Sequence, residues 1–343
     1  MKAARLAERI AALPRVELAA LPTPLEEQPR LAARIGAGRL LVKRDDLTGL
    51  AFGGNKVREL ELLLGAARAA DADVLIAGGG VAQSNHARQC AAAARRAGID
   101  AELILRRGAS GVEPTGNLLV TRLRGARVHL VADDPGLEER EALAAAMEDL
   151  AAELRAGGRR PWILRSSFHP LAAASYAAAA LELAGQLAEL GIERAVVFCT
   201  SMGATRIGLE LAIDLLGLPW ELRAVAWKPL DPGLPTRLAG LAAETAELLG
   251  VAWSPGPDRF LTLDHGGPAY GVPSEECLAA LALAAEAEAL LLDPVYTGKG
   301  FAGLLAELAA GRLDPELPIV FLHTGGLPAL FAYGEALLDG GQR

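Results

Sequence analysis

Short apolar segments alternate with long alanine- and leucine-rich segments along almost the whole of this 343-residue chain. Candidate strands are Leu40–Lys43, Val74–Ala77, Ala101–Leu105, Arg127–Val131, Trp162–Leu164, Ala195–Cys199, Leu222–Ala226 and Ile319–Leu322. Candidate helices lie at Lys56–Ala70, Asn85–Ala97, Glu138–Arg155, Ala173–Leu190, Thr205–Leu216, Pro235–Leu249, Ser274–Leu290, Gly300–Ala310 and Pro328–Leu338. A helix between two strands lets the chain cross over and pair the strands in parallel. Strands apolar on both faces need helices above and below. The pattern therefore predicts an α/β fold of mostly parallel sheets flanked by helices. Ligands in such sheets bind beyond the carboxyl ends of the strands. The length favours two domains of ordinary size, in one compact globule or two lobes. Leu105–Glu113 and Asp133–Gly136 read as surface loops, and Gly157–Arg160 with Arg165–Pro170 as a crossing between lobes.

Composition narrows the function classes. Hydrophobic residues make up 52% of the chain, ample for a core, and the net charge of −8 argues against nucleic acid. Cys90, Cys199 and Cys277 are widely spaced, with no CxxC pair and no zinc-site spacing. They read as buried free thiols, and no metal is expected. Lys2, Arg5, Glu8 and Arg9 interrupt the apolar residues of the N-terminus, so it reads as an amphipathic helix rather than a signal peptide. Charges such as Glu182, Glu286 and Glu288 break the longest apolar stretches, so no membrane span is expected. The expectation is a cytoplasmic protein.

The basic residues are unevenly chosen. Of 34, only five are lysines: Lys2, Lys43, Lys56, Lys228 and Lys299. Lysine, unlike arginine, can lose its proton and condense with an aldehyde. Lys56 closes the run Gly53-Gly54-Asn55-Lys56 at a predicted helix start. There the positive end of the helix dipole disfavours an ammonium, and burial would favour the neutral amine further. From these residues alone, an imine-forming lysine and a solvated surface lysine stand equal.

Other polar clusters fall at strand-to-helix junctions. Gln83-Ser84-Asn85-His86 follows Gly78-Gly79-Gly80 and suits a small carboxylate and a cofactor hydroxyl, although Ser84 and Asn85 are also natural helix caps. A dinucleotide fingerprint fails there, because Gln83 holds the third glycine position. Ser201-Met202-Gly203-Ala204-Thr205 offers small residues and hydroxyls at a helix start, fit for a monophosphate or for a plain capped turn. Tyr270 and Tyr296 are two of only four tyrosines, able to handle protons in a pocket or simply to pack. His323-Thr324-Gly325-Gly326 ends the last strand. A scarce lysine with these partners points to pyridoxal 5'-phosphate (PLP).

Gly53-Gly54-Asn55-Lys56, Gln83-Ser84-Asn85-His86, Asp293-Pro294-Val295-Tyr296-Thr297-Gly298-Lys299 and His323-Thr324-Gly325-Gly326-Leu327-Pro328-Ala329-Leu330 resemble, in order, the D-cysteine desulfhydrase and 1-aminocyclopropane-1-carboxylate (ACC) deaminase family. The resemblance runs over roughly residues 20 to 335. It implies the two-lobed fold type II architecture of PLP enzymes shared with the tryptophan synthase β subunit. A large PLP-binding lobe would comprise residues 1–56 and 171–343, and a smaller inserted α/β lobe residues 57–170. It also implies a homodimer acting on a small amino acid. Lys56 would hold PLP covalently, beside Asn55, and Asn85 would meet the cofactor's ring hydroxyl. Ser201, Met202, Gly203, Ala204 and Thr205 would hold the phosphate. Ser84, Asn85, His86, Tyr270 and Tyr296 would surround the substrate, with Lys56, Ser84, Tyr270 and Tyr296 as catalytic candidates.

Two positions distinguish the branches. ACC deaminases resemble one another in a glutamate after the DPVY tyrosine and a leucine after the final histidine. Here these are Thr297 and Thr324, as in the desulfhydrases. A carboxylate at the pyridine nitrogen makes a strong electron sink, which cyclopropane opening needs. A threonine hydroxyl makes a weaker one, sufficient to expel hydrosulfide. The expectation is α,β-elimination from D-cysteine to pyruvate, ammonia and hydrogen sulfide. ACC deamination, L-cysteate sulfo-lyase activity, another β-elimination or substitution, and a degenerate ligand-binding homologue stand as alternatives. Three departures from the family pattern bear on this: Glu59 in place of a lysine that could neutralise the phosphate, Ser166-Ser167-Phe168-His169 in place of a Gly-Gly-Ser-Asn-like stretch, and Ser175 in place of a glycine before Tyr176. Glu59 is expected to point away from the site unless another group compensates.

Overall fold

The structure, a computed structural model, describes residues 2–108, 111–131, 139–164, 166 and 168–339. Its strands are β1 (Leu25–Glu27), β2 (Leu40–Lys43), β3 (Val74–Val81), β4 (Asp100–Arg106), β5 (Arg127–Leu130), β6 (Pro161–Leu164), β7 (Ala195–Thr200), β8 (Trp220–Val225) and β9 (Ile319–Leu322). They form two sheets, ordered β1-β2-β9-β7-β8 and β5-β4-β3-β6. Every pairing is parallel except that of β1 with β2. The alternation of strand and helix is thus realised as two mostly parallel sheets.

The apolar strands lie at the centres of their sheets. All residues of β2, β7 and β9 are buried, and Phe198 pairs with Phe321 across β7 and β9. Continuous apolar runs suit strands covered on both faces. The outer strand β5 is largely exposed. Eight strands lie where the sequence placed them, with small differences at the ends. The additional β1 is a three-residue edge strand, too short for side-chain alternation to reveal.

The alanines serve close helix packing. Helix Pro170–Glu189 packs against helix Ala204–Leu216, where a Cβ on Gly208 would stand 2.1 Å from the Ala173 carbonyl oxygen. Only small residues allow such an approach. Helix Pro170–Glu189 is apolar and long enough to cross a membrane by composition, but 61% of its most apolar window is buried inside the protein. It belongs to the largest core cluster.

Three helical readings need correction. Pro29–Ile35 and Gly116–Leu123 are helices that the sequence pattern did not reveal. Residues 328–338 do not form one helix. A 3-10 segment, Leu327–Ala332, turns at Tyr333 into helix Gly334–Asp339. The expected surface loop Asp133–Gly136 lies outside the described residues, as do Arg165 and Ser167 of the expected crossing and two residues, 109 and 110, of the other loop.

Candidate active site

A cavity of about 590 Å³ opens at the carboxyl ends of the strands. Strand β3 ends in Gly78-Gly79-Gly80, followed by Ser84, Asn85 and His86. Strand β7 runs into Ser201–Thr205, and β9 into Thr324. Lys56 enters from the start of helix Lys56–Ala69, and Tyr270 and Tyr296 come from loops. Every predicted site residue except Thr297 lines this one cavity.

The loop before Lys56 is rigidly held. Gly53 has φ +63°, and a Cβ there would stand 1.9 Å from the Asp46 carbonyl oxygen, so glycine is required. The Gly53 carbonyl accepts from Gln89 Nε2 at 2.7 Å and from the buried Arg88 guanidinium at 3.2 Å. Arg88 also donates to the Ala51 carbonyl and to Asn117 Oδ1. Asn55 N–H donates to the Thr324 carbonyl at 2.9 Å, and Asn55 Nδ2 donates to Thr205 Oγ1 at 3.2 Å. Three strand-end segments are thereby fixed to one another around Lys56.

Ser84 serves both roles allowed by its sequence position. Its Oγ accepts from Ala87 N–H at 3.2 Å as the N-cap of helix Asn85–Ala97, and it also lines the cavity. Asn85 Oδ1 accepts from Asn117 Nδ2 at 2.9 Å, which leaves the Asn85 amide nitrogen to donate to a ligand. Asn117 itself is held by the Gln83 backbone carbonyl at 2.8 Å. Burial, with the Lys56 charge second, pushes the His86 imidazole down to about 3, so it is neutral at physiological pH.

The Ser201–Thr205 segment is built for an anion. Ser201 Oγ accepts from the N–H groups of Gly203 and Arg206, both at 3.3 Å, which shapes the turn. Helix Ala204–Leu216 begins there, and the first N–H groups of a helix have no partners within it. Those donors, the Ser201 hydroxyl and the helix dipole suit an anion such as a phosphate, although the Thr205 hydroxyl already donates to Glu59. Phe168 packs over it, with ring atoms 3.2 Å from where a Gly203 Cβ would stand.

Opposite, the Tyr270 and Tyr296 hydroxyls are 2.7 Å apart. Trp227 holds both rings, with centroid separations of 4.8 and 5.5 Å. A Cβ built on Gly80 would lie 3.1 Å from Ser84 Oγ and 3.4 Å from the Tyr270 hydroxyl. Ser84 and Tyr270 therefore converge on the end of β3.

Two readings change here. Thr297 is fully buried, and its Oγ1 donates to Asp293 Oδ1 and accepts from Asp293 N–H, each at 2.7 Å. Its hydroxyl is committed to that turn and does not line the cavity, because Asp293 engages it through both its backbone N–H and its carboxylate. Thr324 lines the cavity as expected. Glu59 does not point away. It is fully buried, with Oε1 2.9 Å from Lys56 Nζ and 3.4 Å from Thr205 Oγ1, while Oε2 has no hydrogen-bond partner. Burial raises its carboxyl above the ordinary range, and the Lys56 and Thr205 contacts only partly offset this.

Of the other departures, Ser166 and Phe168 line the cavity. His169 caps helix Pro170–Glu189, its Nδ1 accepting from Leu171 N–H at 3.1 Å. Ser175 and Tyr176 are buried behind the site, where Tyr176 donates to Asp45 Oδ2 at 2.6 Å. Sequence reasoning missed Trp227 and Lys228, which follow β8, and Asp231, Leu234 and Arg237 beyond them. The strand-end rule that found Ser201 also covers Trp227 and Lys228. Leu143 and Met147 come from a helix face that no local signal marks.

These residues suit PLP. A lysine at a helix start, a phosphate-fit turn and a free amide donor at Asn85 surround a single cavity. Residues 16–325 match the pyridoxal-phosphate dependent enzyme family. The chain belongs to that family. It is 37% identical to a D-cysteine desulfhydrase of Klebsiella pneumoniae (strain 342) over 334 residues, covering 95% of this chain and 98% of the relative. It is 38% identical to a D-cysteine desulfhydrase of Salmonella schwarzengrund (strain CVM19633), over 93% and 96% of the two chains. The crystal structure of an ACC deaminase homologue superposes with a TM-score of 0.87 at 35% identity, covering 98% of this chain and 99% of that one. A threonine deaminase from Solanum lycopersicum shares the fold alone, with a TM-score of 0.68 at 16% identity. The enzyme is thus PLP-dependent, has the fold type II architecture and falls within the D-cysteine desulfhydrase and ACC deaminase group.

Proposed function

We propose that this PLP enzyme catalyses α,β-elimination from D-cysteine, giving pyruvate, ammonia and hydrogen sulfide with consumption of one water. The observation that carries the proposal is Thr324: a residue with a neutral hydroxyl, not a carboxylate, lines the cavity two positions beyond β9. When bound, PLP supplies the sink for negative charge at the substrate α-carbon. Lys56 Nζ would anchor the cofactor and take the α-proton. Ser201–Thr205 would hold the phosphate, Asn85 the ring hydroxyl, and Thr324 the ring nitrogen. Ser84 and the start of its helix hold the substrate carboxylate. The Tyr270 and Tyr296 hydroxyls face the β-substituent and protonate the leaving sulfur. The relatives' names and the 2.7 Å tyrosine pair support these roles.

Two sheets drawn from separate segments support a large lobe of residues 1–56 and 171–343 and a smaller lobe of residues 57–170. A homodimer is supported by exposed Phe52, Leu119, Leu123 and Phe331. Arg88 ties the Phe52 loop to Asn117, and the Phe331 carbonyl accepts from Thr115, so these residues neighbour one another. Three unpaired buried thiols support a reducing, cytoplasmic setting.

The test is product stoichiometry. D-cysteine should give pyruvate, ammonia and sulfide in equal amounts, faster than L-cysteate or β-chloro-D-alanine gives pyruvate. A main activity of 2-oxobutyrate release from ACC would overturn the proposal.

A further inference from the structure

We propose that Glu59 is a positioning residue that accepts the proton of Lys56, delivering a neutral amine to the cofactor and leaving a neutral acid beside the phosphate turn. This inference rests on the assignment of Lys56 as the PLP lysine.

The geometry gives Glu59 two neighbours with opposed demands. Its Oε1 is 2.9 Å from Lys56 Nζ and 3.4 Å from Thr205 Oγ1, in the turn assigned to the phosphate. A carboxylate there stabilises a lysine ammonium but repels a phosphate dianion. An ammonium has no lone pair with which to attack a carbonyl carbon. Moving one proton from Nζ to the carboxyl resolves both conflicts. The N–H bond breaks, an O–H bond forms, and the pair remains neutral overall, so no outside acid or base is consumed.

The burial pattern favours this transfer. Glu59 has no exposed surface, and Oε2 has no hydrogen-bond partner. A buried carboxylate with a bare oxygen is costly, whereas a neutral acid can donate its proton to Nζ or to Thr205 Oγ1. Among the described residues, no other nearby group competes. His86 and Cys90 on helix Asn85–Ala97, and Tyr176 on helix Pro170–Glu189, are all held neutral, chiefly by burial. Arg58 is committed to Asp45 and Glu182, and Arg206 to Glu210.

The test is capture of PLP by cofactor-free protein, followed by absorbance across pH in wild type and Glu59→Gln. Glutamine keeps the shape but cannot accept a proton. Wild-type capture should vary little around neutrality. Capture by the variant should rise steeply with pH and be at least about tenfold slower at neutral pH. A second measurement needs no variant. Infrared difference spectra of wild type on PLP addition should gain a protonated-carboxyl band that shifts on carbon-13 labelling of glutamate. A Glu59→Gln protein with the wild-type capture profile, or no such glutamate band, would overturn the inference. Borohydride reduction and peptide mapping keep the outcomes separate: attachment at Lys56 without a Glu59 effect defeats only this inference, and attachment elsewhere defeats the assignment of Lys56.

Discussion

The Tyr270 and Tyr296 hydroxyls share a 2.7 Å hydrogen bond on the cavity wall, where Tyr270 and Ser84 converge on Gly80. Only one of the two can donate in that bond. Burial, and next the Tyr270 neighbour, push the Tyr296 hydroxyl well above its usual range, so it stays protonated. Tyr296→Phe should lower kcat for D-cysteine by about a hundredfold, the ordinary worth of a positioned acid. Its cofactor absorbance should be that of wild type. An unchanged kcat would remove the tyrosines from proton transfer.

Lys299 controls the same wall from behind. Its buried Nζ donates to the carbonyls of Trp227 at 3.0 Å, Gly266 at 2.5 Å and Ala269 at 3.1 Å. It thus ties the Trp227 and Tyr270 loops together. Lys299→Met leaves those carbonyls without their donor, at roughly 1–3 kcal/mol for each one that stays buried. The variant should melt at a lower temperature and show a raised KM, with a smaller effect on kcat.

Two carboxyls, the half-buried Glu182 and the buried Glu59, should give opposite pH dependence to stability. Burial alone would raise Glu182, but Arg58 and Lys43 outweigh it and hold the carboxyl down at about 2. Its contribution is present above the unfolded value near 4.5 and lost as pH falls toward 2. Glu182→Gln should cost on the order of 3 kcal/mol at neutral pH, with the difference shrinking in acid. Glu59 is raised, so its contribution is present below 4.5 and lost as pH rises through its folded value. In cofactor-free protein, Glu59→Gln should therefore raise the melting temperature at pH 8 and change it little at pH 4. Thermal melts of both variants across pH check the signs.

Much of this site was legible because its chemistry sits where β3, β7 and β9 end. Apolar runs located those strands, and the polar residues that follow them converge whatever the loops do. Thr297 was misplaced because its backbone position says nothing about its χ1, and Asp293 captures its hydroxyl. Glu59 was harder to place: its helix packs against helices Asn85–Ala97 and Pro170–Glu189, and its carboxylate is buried beside Lys56 and Thr205, a tertiary setting that one charged residue on a first turn does not reveal. Helix Gly116–Leu123 has too few residues for its period to stand out.

The account turns on Lys56, and Lys56→Ala tests it most directly. Wild type should be yellow, with absorbance at roughly 410–430 nm, and form pyruvate from D-cysteine. The variant should lack that band and lose at least about a thousandfold in pyruvate formation, beyond what a lost proton-transfer group alone commonly costs. Retention of the band, with reduction and mapping placing PLP on Lys43, Lys228 or Lys299, would contradict it.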